Sequence, residues 1–444
     1  MLRAGTASAD ITPGLGEELG GYPHYPRHNT GVHDPLQAAC LYLEDGGNEV
    51  AFITLDLLFF SKLHVREVRA LAEAESGIPG MHILISCIHT HSGPWASGRL
   101  DIESLEAGAK QPKEYVEKLV KTIACLIAEA KRTAFQASFT SGTAMCGAES
   151  GVGGNRRIPG GPHDPLVSVM AVRDAQETVR GIFVNYTLHP TFIHEWSTVC
   201  TADYVCYLRK QLEETWNGAV VCFGQGASGN QSSRYYRQGE SFDEAERVGR
   251  VLGKAAATVL SKAEWADTLD IRQASKEIPL ELRSFGTGAE LEKTVAEDRT
   301  VYEDLYARYG KSENRDEYYL WQNANLKLLG AEDQLGYVRM QNRGVRIELL
   351  EDENPVELQA VRLGGTCVVA MPGEIFVEYA LYIKAMAGFG TVIFNELTGG
   401  CMPGYLYTPE SLVTGGYETD TSMLGERFGR HVVDELLGLV DQIR

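Results

Sequence analysis

The stretch Pro35–Phe60, PLQAACLYLEDGGNEVAFITLDLLFF, sets two apolar runs on either side of Asp45-Gly46-Gly47-Asn48. Gly-Gly between acidic and amide residues is turn chemistry, so the stretch predicts two strands joined as a hairpin. Next comes Lys62–Ser76, KLHVREVRALAEAES, where Leu63, Val65, Val68 and Leu71 recur at helical spacing. Then follows Ile85–Pro94, ISCIHTHSGP, an apolar run that reads as a strand carrying His89 and His91 before Gly93-Pro94 breaks it. The order strand, strand, helix, strand predicts an α/β fold in which helices flank mixed sheets.

Working outward, Lys113–Lys131 places Val116, Leu119, Val120, Ile123, Leu126 and Ile127 on one helical face. Strands are expected at Ala137–Thr143, at Val167–Arg173 and in RGIFVNYTLHPT, which delivers His189 just before a proline. GAVVCFGQGASGNQSS reads as a buried strand entering a Gly-Ser-Asn loop, with a helix over Phe242–Ala266. Residues 288–335 are charged and free of proline, which predicts a helical hairpin inserted in a single domain spanning 1–444. The last third returns to strands at ELQAVRLGGTCVVAMPGE and TVIFNELTGGCMPG and ends in a helix. Four strands thus run into Gly-containing polar loops, the places where open α/β sheets bind ligands.

Composition narrows the function classes. The formal charge of -19 would repel nucleic acid and anionic membranes, and no basic run offsets it. The N-terminus MLRAGTASADITPG has no signal-peptide core, and no window approaches the ~18 apolar residues of a membrane helix. No integral membrane segment and a cytoplasmic location are therefore expected. Nine cysteines without a Cys-x-x-Cys pair read as reduced thiols and argue against a cysteine zinc site. The composition is compatible with a homo-oligomer.

A catalytic zinc needs three protein N or O ligands and an open position, which His and Glu can supply. Candidate donors at strand ends are His89, His91, His189, His194 and Glu374. On a persisting strand His89 and His91 would share one face, since side chains alternate. GQGASGNQSS lacks the Gly-Lys-Ser/Thr ending of a phosphate loop, and its Ser residues sit in no nucleophile elbow.

The segments GTASADITP, GGY, GVHDPLQA, ISCIHTHSGP, GNRR, GQGASGNQS, AMPGE, GYLYTPES and GGYETDTSM occur in this order from Gly5 to Met423. In that set and order the chain resembles the neutral ceramidase family, zinc amidases that cleave the N-acyl bond of ceramide. The resemblance implies His89, His189, Glu374 and Tyr405 as zinc ligands, with His91, Arg156 and Tyr417 around the reacting carbonyl. Arg157 is the immediate rival of Arg156. Asn230 or Ser232 would lie near substrate. A phenol such as Tyr405 can bind zinc as phenolate because the cation lowers its pKa from about 10.

The implied reaction is zinc-dependent amide hydrolysis by a metal-activated water. His91 would carry the proton to the leaving amine, and Arg156 and Tyr417 would donate to the oxyanion. Secreted ceramidases carry an export signal and a C-terminal β-sandwich, neither of which is evident in this sequence. The substrate is therefore expected to be a small soluble N-acyl compound, such as an N-acylated sugar or amino acid. Alternatives are ceramide itself, a carbohydrate or other ester, or a non-catalytic metal-containing binding role.

Overall fold

The structure, a computed structural model, describes residues 1–22, 25–97, 112–312, 314–344 and 347–444. Two sheets stack face to face between layers of helix. The larger has eight strands, in the order Val220–Gln225, Val179–Tyr186, Leu166–Asp174, Phe135–Met145, Arg3–Asp10, Gln37–Asp45, Asn48–Leu55 and Ile83–Cys87. Its two outermost pairs are parallel and the rest antiparallel. The smaller has four strands, Ile271–Ile278, Val356–Leu363, Thr366–Ala370 and Thr391–Asn395, the last pair parallel.

The expected hairpin sits at the centre of this arrangement. Asp45 pairs with Asn48, and Gly46 and Gly47 both take positive φ (61° and 86°), the left-handed pair that a two-residue hairpin turn demands. Alternation along Gln37–Asp45 sends Ala39, Leu41 and Leu43 against the small sheet and Ala38, Cys40 and Tyr42 against helices. Both faces are buried, so the sequence reads as a continuous apolar run. Phe52 and Phe183, edge to face at 5.8 Å, anchor the large sheet's side of the inter-sheet core. Truncating either to alanine would cost about 3–5 kcal/mol.

Helices Lys62–Ser76 and Lys113–Arg132 cover one half of the large sheet, and Tyr204–Thr215 and Phe242–Leu260 the other. Helices Val377–Met386 and Phe428–Ile443 cover the small sheet. The fold is therefore α/β, with mixed sheets flanked by helices.

Some expectations need correction. On Lys62–Ser76 the buried stripe is Val65, Val68, Arg69 and Ala72, while Leu63 and Leu71 face solvent. The helix starting at Phe242 stops at Leu260, because the chain leaves to pair Ala266 with Phe139 through two backbone bonds of 2.8 Å. The strand carrying ISCIHTHSGP ends at Cys87, so His89 and His91 do not share a face by strand alternation.

Residues 288–335 contain two helices, Gly288–Tyr309 and Arg315–Arg343, the second running beyond the expected limit. Thr287 and Glu290 form a capping box at the first, and the Asn314 side chain caps the second. Glu313 lies outside the described residues. The second helix lies on the short helix Tyr417–Thr421: a Cβ on Gly330 would meet Asp420 Cβ at 2.5 Å, and Gln334 donates to the Asp420 carbonyl at 2.7 Å. No helix among the described residues is long and apolar enough to cross a membrane.

Candidate metal and active site

Strand ends from both sheets converge on one buried point. After Cys87 the chain runs alongside the segment leaving Asn48–Leu55, with Ile88 N–H on Leu55 O and His89 N–H on Leu57 O. His89 takes φ of 70°, a left-handed conformation that a side-chain-bearing residue adopts at a cost of order 1 kcal/mol. This turn, rather than strand alternation, aims its ring inward. His189 follows Val179–Tyr186 in the same sheet, and Glu374 follows Thr366–Ala370 in the small one. Glu374 and Tyr405 are direct partners in a two-residue parallel pairing.

His89 Nδ1 lies 3.2 Å from Leu58 O, and His189 Nδ1 lies 2.8 Å from Ser228 O. Each carbonyl can only accept, so each ring carries its proton on Nδ1 and leaves Nε2 with a free lone pair. Those two Nε2 atoms stand 3.1 and 2.9 Å from Glu374 Oε1. Oε1 and His189 Nε2 are buried and have no hydrogen-bond partner among the described residues. Three electron-rich atoms at this spacing repel one another unless a cation lies among them, and ligands held at 2.0–2.1 Å in a tetrahedron stand about 3.3 Å apart. Burial, then the charge of Arg156, lowers His189 to about 4, so its ring is neutral at ordinary pH, as a metal ligand must be. The donors present, two imidazoles, a carboxylate and a neighbouring phenol, therefore fit zinc.

His91 closes the group. One ring nitrogen from each of His89, His91 and His189 lies within 4.8 Å of the other two, a grouping that could hold a metal ion, and both nitrogens of His91 are buried without a partner among the described residues. Its position depends on Gly21, with φ of 100°, where a Cβ would meet His91 Cβ at 2.5 Å. Burial, reinforced by the two neighbouring imidazoles, holds its pKa well below the usual histidine value. His91 thus carries a free lone pair at the edge of the site.

Arg156 stacks over the Tyr405 ring at 5.4 Å, donates Nε to Glu418 at 2.7 Å and Nη2 to Gly229 O at 2.7 Å. Arg157 spends its guanidinium elsewhere, on Glu418 and on the Thr414 hydroxyl and Gly415 carbonyl of the adjoining loop. One carboxylate, Glu418, therefore orients both arginines, with Arg156 toward Tyr405 and Arg157 holding the loop that carries Tyr417. The rings of Tyr405 and Tyr417 are 6.0 Å apart. Burial raises the pKa of both phenols, and Glu374 raises Tyr405 further.

Above this group lies a cavity of about 510 Å³, lined by His91, Arg156, Ser232, Tyr405 and Tyr417 on one side. Tyr318, Tyr319, Gln322 and Asn323 of the helix Arg315–Arg343 line the other. Asn230 does not reach it: its amide ties Val377 N–H and Glu378 to the loop. His194 lies in the cavity wall, apart from the three clustered histidines. It is stacked on Tyr22 at 5.7 Å and accepts on Nε2 from Arg237 at 2.6 Å.

Sequence reasoning passed over several residues. Glu396 accepts from Ser228 N–H and Ile375 N–H, both at 3.0 Å, and so clamps the carbonyl that orients His189 to the segment that carries Glu374. A charged residue inside the apolar run TVIFNELT was the available signal. Tyr22, Arg234 and Arg237 line the cavity as well, the last two from SSRYYRQ directly after the Gly-Ser loop.

No family model matches the sequence, and no curated protein matches it either. Solved structures do. The neutral ceramidase from Pseudomonas aeruginosa superposes with a TM-score of 0.74 at 17% identity, over 99% of this chain and 74% of that one. The chain has the neutral ceramidase fold. A ceramidase structure described as complexed with C2 matches equally, at TM-score 0.74 and 16% identity, with the same coverage. Identity this low carries the ceramidase architecture across and leaves substrate and chemistry to the residues themselves.

Proposed function

We propose that this protein is a zinc-dependent hydrolase that cleaves the N-acyl bond of a soluble amide. The observation that carries the reading is the pair of Nδ1-anchored imidazoles facing an unpartnered Glu374 oxygen, beneath a cavity lined by His91, Arg156, Tyr405 and Tyr417. His89, His189, Glu374 and Tyr405 would hold the metal. Bound there, zinc supplies a Lewis acid that polarises a carbonyl and acidifies water. Arg156 and Tyr417 are the donors for the oxygen that becomes negative as water's oxygen bonds to the carbonyl carbon. His91, with its free lone pair, takes the proton that this water gives up and passes it to the amine nitrogen as the C–N bond breaks. The likeness in fold to a neutral ceramidase supports amide hydrolysis as the class.

The test pairs metal content with turnover. His89→Ala should lose both zinc and activity, whereas His91→Ala should keep zinc and lose activity. If His91→Ala loses zinc as completely as His89→Ala, the division between ligand and proton carrier is wrong. If zinc-loaded protein hydrolyses no N-acyl compound, the enzyme reading fails.

One observation favours a lipid amide instead. Exposed apolar side chains belong to the cavity lining or stand beside it in sequence: Ile158 (60%), Trp196 (55%), Leu320 (51%) and Val413 (90%). Faster hydrolysis of a micellar N-acyl sphingosine than of short N-acyl amines would establish that reading.

A further inference from the structure

Four arginines line the cavity of a chain whose formal charge is -19. Three are committed: Arg156 and Arg157 to Glu418, and Arg237 to Glu240, the Thr191 carbonyl and His194. Arg234 differs. Its Nη2 donates to Asn323 Oδ1 at 2.7 Å, it has no carboxylate partner among the described residues, and its other N–H groups make no hydrogen bond there. The guanidinium lies over the rings of Tyr319 at 4.9 Å and Tyr235 at 5.8 Å. The Tyr319 hydroxyl and Arg315 both donate to the Arg234 carbonyl, at 2.5 and 2.8 Å, so the backbone beneath the guanidinium is pinned to the inserted helix. An arginine stacked on aromatics with one edge hydrogen-bonded offers its remaining fork to a planar anion.

Resting on the hydrolase reading above, we propose that the substrate carries a carboxylate and that Arg234, braced by Tyr319 and Asn323, binds it while Arg156 and Tyr417 receive the amide carbonyl. A single carboxylate suits the site better than a more highly charged phosphate. The wall already holds Glu195 and Glu418, and one unpaired guanidinium remains to answer one negative charge. The compounds implied are N-acyl amino acids, or amides of dicarboxylic acids, and not an uncharged N-acyl sugar or sphingosine.

The experiment compares N-acetyl-L-glutamate and an N-succinyl amine, each against its uncharged carboxamide analogue, with zinc-loaded protein and Arg234→Ala and Arg234→Lys variants. Calorimetry measures binding, and steady-state kinetics measures turnover. The native protein should prefer at least one charged compound, and Arg234→Ala should reduce that preference about 10- to 100-fold, mainly through KM. Arg234→Lys should recover part of it, since an ammonium keeps the charge but loses the fork. An unchanged preference in Arg234→Ala, or no native preference for either carboxylate, overturns the proposal. Hydrolysis of N-acetyl sugars or N-acyl sphingosine with exclusion of the carboxylates overturns it too, while leaving amide hydrolysis in place. Arg234-dependent binding without turnover of any amide upholds the anion site and overturns the hydrolase reading.

Discussion

His89, His189 and Glu374 come to the cavity from strand ends of two sheets, nearly all of their surface buried, the two imidazoles oriented by backbone carbonyls and Glu374 held beside Tyr405 by strand pairing. Tyr318, Tyr319 and Gln322 come to the same cavity from an inserted helix, half-buried, and meet the rest of the wall through side chains. The metal-facing floor thus owes its geometry to strand pairing and loop backbone, which any disruption of the fold would disturb. The roof owes its geometry to surface side chains, which can change with little effect on the core. On the proposed function, chemistry and selectivity fall to different parts of the chain, and substitutions should separate them.

The largest effect is expected on the floor. His89→Ala or Glu374→Ala should abolish stoichiometric zinc, read by elemental analysis, together with turnover, because each would remove one of the proposed ligands. Arg156→Ala should leave the metal in place and lower kcat by about 10²- to 10³-fold, the usual cost of removing one oxyanion donor. Equal loss of zinc in that variant would show that floor and wall are not separable. Glu396→Gln keeps the shape of the clamp but weakens the acceptor for Ser228 and Ile375. Zinc affinity in competition with a chelator should fall about 10- to 100-fold. The smallest effect is expected on the roof, where Tyr319→Phe removes one hydrogen bond to the Arg234 carbonyl. A rise in KM of about 2- to 10-fold at nearly constant kcat would fit, and a fall in kcat with unchanged KM would place the roof in the chemistry.

Local signals carried most of the fold. Turn glycines at 46 and 47, apolar runs and the stripe from Val116 to Ile127 each reflect a constraint acting within a few residues, and those elements form where expected. The candidate residues at strand ends were visible for the same reason, since His89, His189 and Glu374 each follow an apolar run in a Gly- or Pro-marked loop, whereas Tyr405 entered only through the family resemblance. What local pattern could not supply was pairing at a distance. Glu418 serving both Arg156 and Arg157, and Glu396 joining two loops, depend on contacts between residues more than a hundred positions apart or on loop packing. Leu63 and Leu71 show the same gap from the other side: helical spacing was present, but only neighbouring elements decide which stripe is covered. Asn230, prominent in its loop, is spent on joining that loop to a helix.

The convergence of both sheets on one point has a consequence for the molecule as a mechanical object. His89 and His189 follow strands of one leaf of the sandwich, and Glu374 and Tyr405 follow strands of the other, so an ion shared by all four would act as a rivet between leaves. The unfolded chain has no such assembly, and any free energy of ion capture is added to the cohesion of the whole, growing with the logarithm of ion concentration. Scarcity of the metal would then loosen the leaves as well as silence the site.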